Sequence, residues 1–255
     1  MKDPKNILIT GASSGIGQAV AEFYAAPGVI LAISGRNKER LDAVANTLKE
    51  KGAKVYAKVI DVTNDKAMAA WIADIDKKAP LDLVIANAGV GVQAGDFDNM
   101  HDAANFTIGV NVGGVFNTVH PALAWMQKRS KGQVAIVSSL AGYIGLPGSP
   151  MYSASKNAVR AYGEALRPAY ALKGIEINVI CPGWVKSRIT ARNQYKMPFF
   201  MDVDKAAGII VRGLAKNKGR ITFPWQMVAL IKFMTILPIS WALFILGKVT
   251  MKGRA

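Results

Sequence analysis

The chain has 255 residues, 51% of them hydrophobic, and a formal net charge of +15; that length suits one α/β domain with a full core, and that composition excludes disorder over most of it. The single cysteine, Cys181, excludes an intramolecular disulfide, suits a reducing compartment, and reads as a small buried apolar residue rather than a nucleophile. The charge is uneven: residues 1–185 hold 19 Lys and Arg against 15 Asp and Glu, whereas residues 186–255 hold 13 against 2, so the basic excess gathers at the C-terminal end, where nucleic acid, an anionic membrane surface or no specific partner are open readings.

Met1-Lys-Asp-Pro-Lys-Asn6 runs straight into an apolar strand, Ile7 to Thr10, with no charged-then-apolar leader pattern, so a cytoplasmic location is expected. The strand leads into Gly11-Ala-Ser-Ser-Gly15-Ile-Gly17, and residues 18–26 have helical spacing. Glycines in a strand-to-helix turn let backbone amides approach a phosphate, and the helix N-terminus favours an anion there. The spacing Gly-x-x-x-Gly-x-Gly differs from the Gly-x-Gly-x-x-Gly dinucleotide fingerprint. A second strand, Val29 to Ile33, ends in Ser34-Gly35-Arg36-Asn37. In a dinucleotide fold this point meets the adenosine ribose, where a carboxylate would accept from a free 2′-hydroxyl. Gly35 stands in its place and Arg36 follows, offering a fork for a 2′-phosphate, so NADP(H) is expected over NAD(H).

Residues 38–51 form an amphipathic helix with Leu41, Val44, Ala45 and Leu48 on one stripe. Val55 to Ile60 is a third strand, with Asp61 and Val62 at its end where an adenine edge would lie. A helix from about Asn64, a candidate cap, runs to Lys78. The fourth strand, Leu81 to Ala86, ends in Asn87-Ala88-Gly89. A long helical stretch from Asp102 to Arg129 carries Asn111 among apolar neighbours, where the amide needs a partner or distorts the helix. The fifth strand, Gln133 to Val137, delivers Ser138 and Ser139. A helix holding Tyr152 and Lys156 runs to about Leu172, Gly174 ends it, and Ile175 to Ile180 is the sixth strand. This alternation, with continuous apolar strands, calls for a doubly wound parallel sheet of about seven strands covered by helices on both faces. Right-handed crossovers set the first and fourth strands side by side over a crevice.

Tyr152 and Lys156 are four apart, so a helix puts them on one face. An ammonium beside a phenol favours the phenolate, which brings the pair towards general acid–base work. The other reading, an ordinary surface pair, yields to the rest of the chain. Thr10-Gly-x-x-x-Gly-x-Gly17, Asn87-Ala-Gly89, Asn111, Ser139, Tyr152-x-x-x-Lys156 and Pro182-Gly183 together resemble the short-chain dehydrogenase/reductase family over residues 5–222. Ala86 and Ser187 are small departures, standing where asparagine and threonine are usual.

The resemblance implies an NADP-dependent oxidoreductase on carbonyls or alcohols. Tyr152 would be the acid/base, Lys156 would hold the nicotinamide ribose and lower the tyrosine pKa, and Ser139 would bond the substrate oxygen. Asn111 would hold a water between Lys156 and solvent. Gly11, Ser13, Ser14, Gly15, Ile16, Gly17 and Arg36 would hold the phosphates and adenosine, with Asp61 and Val62 at adenine and Asn87, Gly89, Val185 and Ser187 at the nicotinamide end. No metal is expected. A catalytically idle nucleotide binder, recruiting a partner or lipid surface through its tail, is the competing function.

After Pro182-Gly183, the segment 184–204, with Met197-Pro-Phe-Phe-Met201, is expected to cover the substrate, which its apolar character suggests is apolar too. A helix over 205–216 and a short strand, Arg220 to Phe223, complete a domain of residues 1–224. Trp225 to Leu246 then holds one charge, Lys232, and is divided by Pro238; its longest uncharged run, Phe233 to Gly247, is short of the ~20 residues that span a bilayer. Two short apolar helices are expected in this 225–255 extension. Trp225, Trp241, Lys232, Lys248, Lys252 and Arg254 suit a segment lying in a membrane interface, and packing in a homodimer or homotetramer is the alternative. Nucleic acid is not an expected partner, because the cations alternate with apolar runs and no aromatic stacking platform is evident.

Overall fold

The computed structural model describes residues 1–92, 96–192 and 197–251, the last four of these by backbone alone. Parallel strands β1 (Asn6–Ile9), β2 (Ile30–Gly35), β3 (Lys54–Val59), β4 (Leu83–Ala86), β5 (Gly132–Val137), β6 (Ile175–Pro182) and β7 (Arg220–Phe223) form one sheet in the order β3-β2-β1-β4-β5-β6-β7. Ile7 is level with Leu31 of β2 on one side and Leu83 of β4 on the other. The chain order reverses between β1 and β4, which opens the expected crevice at their carboxyl ends.

Because successive strand residues point to opposite faces, the continuous apolar strands supply two cores at once. Ile7, Ile9, Leu31, Ile33, Leu83 and Ile85 face one core, shared with α1 (Gly15–Tyr24), α2 (Lys38–Glu50) and, further along the chain, α8 (Val203–Ala215). Leu8, Ala32, Val84, Val134 and Ile177 face the other, covered by α3 (Asp65–Lys78), α5 (Gly114–Lys128) and α6 (Pro150–Ala171). Asn37 and Asn64 cap α2 and α3, accepting from the amides of Arg40 and Ala67. Each cap satisfies an amide that the first turn leaves unpaired.

Four expectations change in detail. The strand β3 is not apolar on both faces: most of it is exposed, since it is the sheet edge and carries Lys54 and Lys58. The fourth strand begins at Leu83, and just before it the Asp82 carboxylate accepts from the amides of Lys5 and Asn6 at 2.9 and 3.0 Å. The first helix starts at Gly15 and ends at Tyr24. The stretch expected as one helix from Asp102 starts at Met100 as α4 (Met100–Ile108), passes through a π-helical turn at Gly109–Gly113, and continues as α5. Asn111 sits inside that wider turn, so the local distortion read from its polarity is present.

At the far end, β7 feeds directly into α9 (Trp225–Ile236) and α10 (Ile239–Met251), which meet at Leu237 and Pro238. These are the two short apolar helices expected. Among the described residues no helix is long and apolar enough to cross a membrane. Lys252 and Arg254 lie outside the described residues.

Candidate active site

The glycine turn and the end of β4 are tied together by side chains. The Thr10 hydroxyl accepts from the amides of Asn87 and Ala88 at 3.1 and 3.2 Å, and Asn87 Nδ2 donates to the Thr10 and Gly11 carbonyls at 2.9 and 3.1 Å. The packing leaves no room for side chains in the turn. A Cβ on Gly17 would lie 2.4 Å from Asn87 Nδ2, and one on Gly11, whose φ is +65°, would lie 2.7 Å from the Ala88 Cα. Ser14 precedes α1 in extended conformation with no side-chain cap, and no acid lies in the first turn. The leading amides of this ten-residue helix are therefore unanswered by a side chain, which is what an anion requires of a helix N-terminus. Ser13 packs against Gly35, and Ile16 against the core.

Arg36 projects from the end of β2, 54% exposed, with its guanidinium 3.9 Å from the Asp61 carboxylate. Asp61 also accepts from the amide and hydroxyl of Thr63, and Val62 is buried against Gly114. So Arg36, Asp61 and Val62 meet at one end of the crevice.

Lys156, Asn111 and Gly89 meet at the other. A Cβ on Gly89 would stand 3.2 Å from both Asn111 Oδ1 and Lys156 Nζ. Asn111 is fully buried; its Oδ1 accepts from Val90 N at 2.8 Å, and its Nδ2 donates to the Val90 carbonyl and the Ser155 hydroxyl, both at 3.0 Å. The Ser155 hydroxyl donates in turn to the Tyr152 carbonyl. Lys156 is 4% exposed. Its ammonium donates to the Val137 carbonyl at 3.1 Å and lies 5.7 Å from the centre of the Tyr152 ring. Burial disfavours the charged amine and pushes its pKa down to about 8.

Ser138 and Ser139 leave β5 in opposite senses. The Ser138 hydroxyl is buried and donates to the Lys156 carbonyl at 2.6 Å, fixing α6 to the sheet. Ser139 caps a 3-10 turn at Leu140–Gly142, accepting from the Ala141 amide at 3.1 Å. Gly142 in that turn abuts the Lys156 carbonyl, where a Cβ would come within 2.7 Å. Partly buried Tyr152 lines a cleft of about 290 Å³ together with Val92, Phe97, Met100, Pro150 and Met151.

Beyond β6, Val185 is buried and bridges Met201, while Ser187 caps α7 (Arg188–Ala191) in a reciprocal pair with Thr190. The Cβ of Ser187 is 3.3 Å from where one on Gly15 would be, so the segment after β6 returns to the glycine turn. Phe199 and Phe200 of the expected apolar run are 49% and 46% exposed; residues 193–196 of that segment lie outside the described residues.

The structure thus brings Arg36 to Asp61, Lys156 to Asn111 and Gly89, and Ser187 to the glycine turn. Sequence reasoning passed over Ser155 and Thr190. Ser155 lies three residues after Tyr152, and its helical position beside Lys156 was the available signal. Thr190 lies three after Ser187, the spacing of a capping pair.

Comparison with known proteins agrees with this geometry. The short chain dehydrogenase family matches residues 5–197. An uncharacterized oxidoreductase of Myxococcus xanthus is 35% identical over 235 residues, 92% of this chain and 93% of that protein. A 3beta-hydroxysteroid dehydrogenase of Mediterraneibacter gnavus is 37% identical over 193 residues, 75% of this chain and 70% of that protein. A short-chain dehydrogenase from Sphingobium yanoikuyae, solved in complex with NADPH, superposes with a TM-score of 0.79 at 25% identity, covering 91% of this chain and 96% of that one. The chain belongs to the short-chain dehydrogenase family. It is an oxidoreductase of the kind that acts on carbonyl or CH–OH groups.

Proposed function

We propose that this chain is an NADP(H)-dependent oxidoreductase that interconverts a carbonyl and a secondary alcohol on an apolar small molecule, with Tyr152 as the acid/base. The observation that carries this reading is the buried Lys156 ammonium facing the Tyr152 ring from one helical turn away. A cation held out of water stabilises a neighbouring phenolate more than a solvated one could. Residues 1–224 would carry nucleotide binding and catalysis, with segment 184–204 over the substrate.

The residues present fit a dinucleotide: the glycine turn has no space for side chains, and the α1 N-terminus has unanswered amides. Gly11, Ser13, Ser14, Gly15, Ile16 and Gly17 would hold its phosphates, Asp61 and Val62 its adenine, and Asn87, Gly89, Val185 and Ser187 its nicotinamide end. Arg36 would hold a 2′-phosphate, which the exposed guanidinium at the end of a strand without a carboxylate supports. NADPH in the Sphingobium neighbour supports the same cofactor class. When bound, the dihydronicotinamide supplies the hydride.

Every other part falls to side chains. In reduction the Tyr152 hydroxyl donates its proton to the carbonyl oxygen as negative charge develops there; in oxidation the phenolate takes the alcohol proton. Ser139 would donate a hydrogen bond to the same oxygen, exchanging its 3.4 Å bond to the Pro182 carbonyl for one to the developing charge. Lys156 keeps the phenolate accessible and binds the ribose hydroxyls. Both amide hydrogens of Asn111 are committed to Val90 and Ser155, so the water it holds between Lys156 and solvent rests on the second lone pair of Oδ1. Val92, Phe97, Met100 and Met151 beside Tyr152 support a substrate with an apolar part, and Asp98, Asn99, Thr107 and Ser149 on the same cleft would meet its polar groups.

The test is isotopic. NADPH deuterated at C4, offered with a panel of apolar ketones, is expected to yield an alcohol carrying deuterium on the carbinol carbon, read by mass spectrometry. An alcohol formed without deuterium, or no turnover on any ketone with either stereoisomer of labelled cofactor, would count against hydride transfer to a carbonyl.

A further inference from the structure

We infer that α9 and α10 form a docking face for the surface of an anionic lipid bilayer. A helix on the surface of a folded domain ordinarily turns apolar residues inward and polar ones out. The helix α9 is apolar on both sides. Its inner line, Met227, Val228 and Ile231, packs on Leu140, Val179 and Cys181. Its outer line, spaced by helical turns, carries Trp225, Phe233 and Ile236, which are 75%, 57% and 81% exposed. In the helix α10, Ala242 is buried while Ile239, Trp241 and Phe244 are 68%, 65% and 63% exposed.

The occupant follows from length and charge. The two helices have 12 and 13 residues and are broken at Pro238, so at ~1.5 Å per residue each reaches ~20 Å, short of the ~30 Å hydrocarbon core. Over its described residues, each helix can lie on a bilayer and is too short to cross it. From residue 205 to the end the chain has nine Lys and Arg and no Asp or Glu, and exposed Lys232 borders the outer line of α9. Exposed apolar side chains that include two tryptophans, with Lys232 beside them on a stretch of chain that has no acid, match an anionic interface. A second copy of this chain matches poorly, because a two-fold contact through this face brings like charges together.

Position gives docking a consequence. The helix α9 starts at the carboxyl end of β7, on the same sheet edge as the site, and Met227 lies so close to Gly183 that a Cβ there would meet its sulfur at 2.7 Å. A bilayer on this face lies beside the segment 184–204, where Phe199 and Phe200 are exposed. An apolar substrate would then be drawn from the lipid. That last step rests on the catalytic reading above; docking does not.

The experiment is flotation of the full chain with vesicles of phosphatidylcholine alone or mixed with phosphatidylglycerol, at 0.1 M and 0.5 M salt, with sedimentation velocity run in parallel. The full chain is expected to float with the mixed vesicles at low salt and to lose most of that binding at high salt. Phosphatidylcholine alone should bind at least ~10-fold more weakly. The double variant F233S/W241S, altered only at exposed positions, should partition at least ~10-fold more weakly than the parent while keeping its NADPH affinity, which reports an intact fold and is independent of turnover. Failure to float under any condition would overturn the proposal, as would equal binding to both vesicle types. A stable dimer that the double variant converts to monomer, without flotation of the parent, would assign the face to a second copy.

Discussion

Lys156→Met gives a prediction in which stability and function move in opposite directions. Burial holds the ammonium's pKa at about 8 against 10.5 in water, and each pKa step is worth about 1.4 kcal/mol. The folded state therefore carries a burden of about 3 kcal/mol below pH 8 for keeping this charge out of water. Methionine matches the side chain's length and has no charge, but it abandons the Val137 carbonyl, 3.1 Å from Nζ, which costs about 1 kcal/mol. The net gain at pH 7 is about 2 kcal/mol, or ~4–8 °C in the melting temperature of a chain of this size. The sign with pH is fixed by the depressed value: the unfolded chain holds its proton up to 10.5 while the folded one releases it near 8. The parent thus recovers stability between those values, and the variant's advantage should shrink across that window. Thermal unfolding of cofactor-free parent and variant at pH 7 and pH 10 measures it. A variant less stable than the parent at pH 7, or an advantage that does not change with pH, would refute the burial argument. Turnover of the variant should be reduced at both pH values.

Two further substitutions test separate parts of the site. Arg36→Ala should weaken NADPH by ~10- to 100-fold in a calorimetric titration, the worth of charge-assisted bonds to a phosphate, and leave NADH unchanged; an equal loss for both cofactors would place Arg36 elsewhere. Asn111→Ala removes the partner of the Val90 amide and carbonyl and of Ser155, so denaturant unfolding should show a loss of about 2–3 kcal/mol, and no measurable change would mean that those groups find other partners.

The carboxyl edge of the sheet was legible because it is built from local signals. A glycine turn after an apolar strand, and polar residues just past strand ends, mark a crevice whatever the packing behind them. The π-helical turn at Gly109–Gly113 was half legible: a buried Asn between valines signals distortion, but helical periodicity does not say where an extra residue enters the turn. The exposure of β3 was not legible from its alternation, because edge position is set by the order of strands, and only Lys54 and Lys58 hinted at it. Helix ends shifted where side chains such as Asn99 took over backbone amides. Ser155 was missed because its partner Asn111, 44 residues away, becomes a neighbour only when the chain has folded, whereas Thr190 was within reach of a local reading through its capping pair with Ser187.

The central claim, that the Tyr152 hydroxyl moves the proton while hydride moves, is tested most directly by Tyr152→Phe, which removes one oxygen and leaves the ring beside Lys156. The account predicts that kcat for NADPH-dependent ketone reduction falls by ~10²- to 10⁴-fold with the dissociation constant for NADPH unchanged. A variant that turns over at the parent's rate would contradict it.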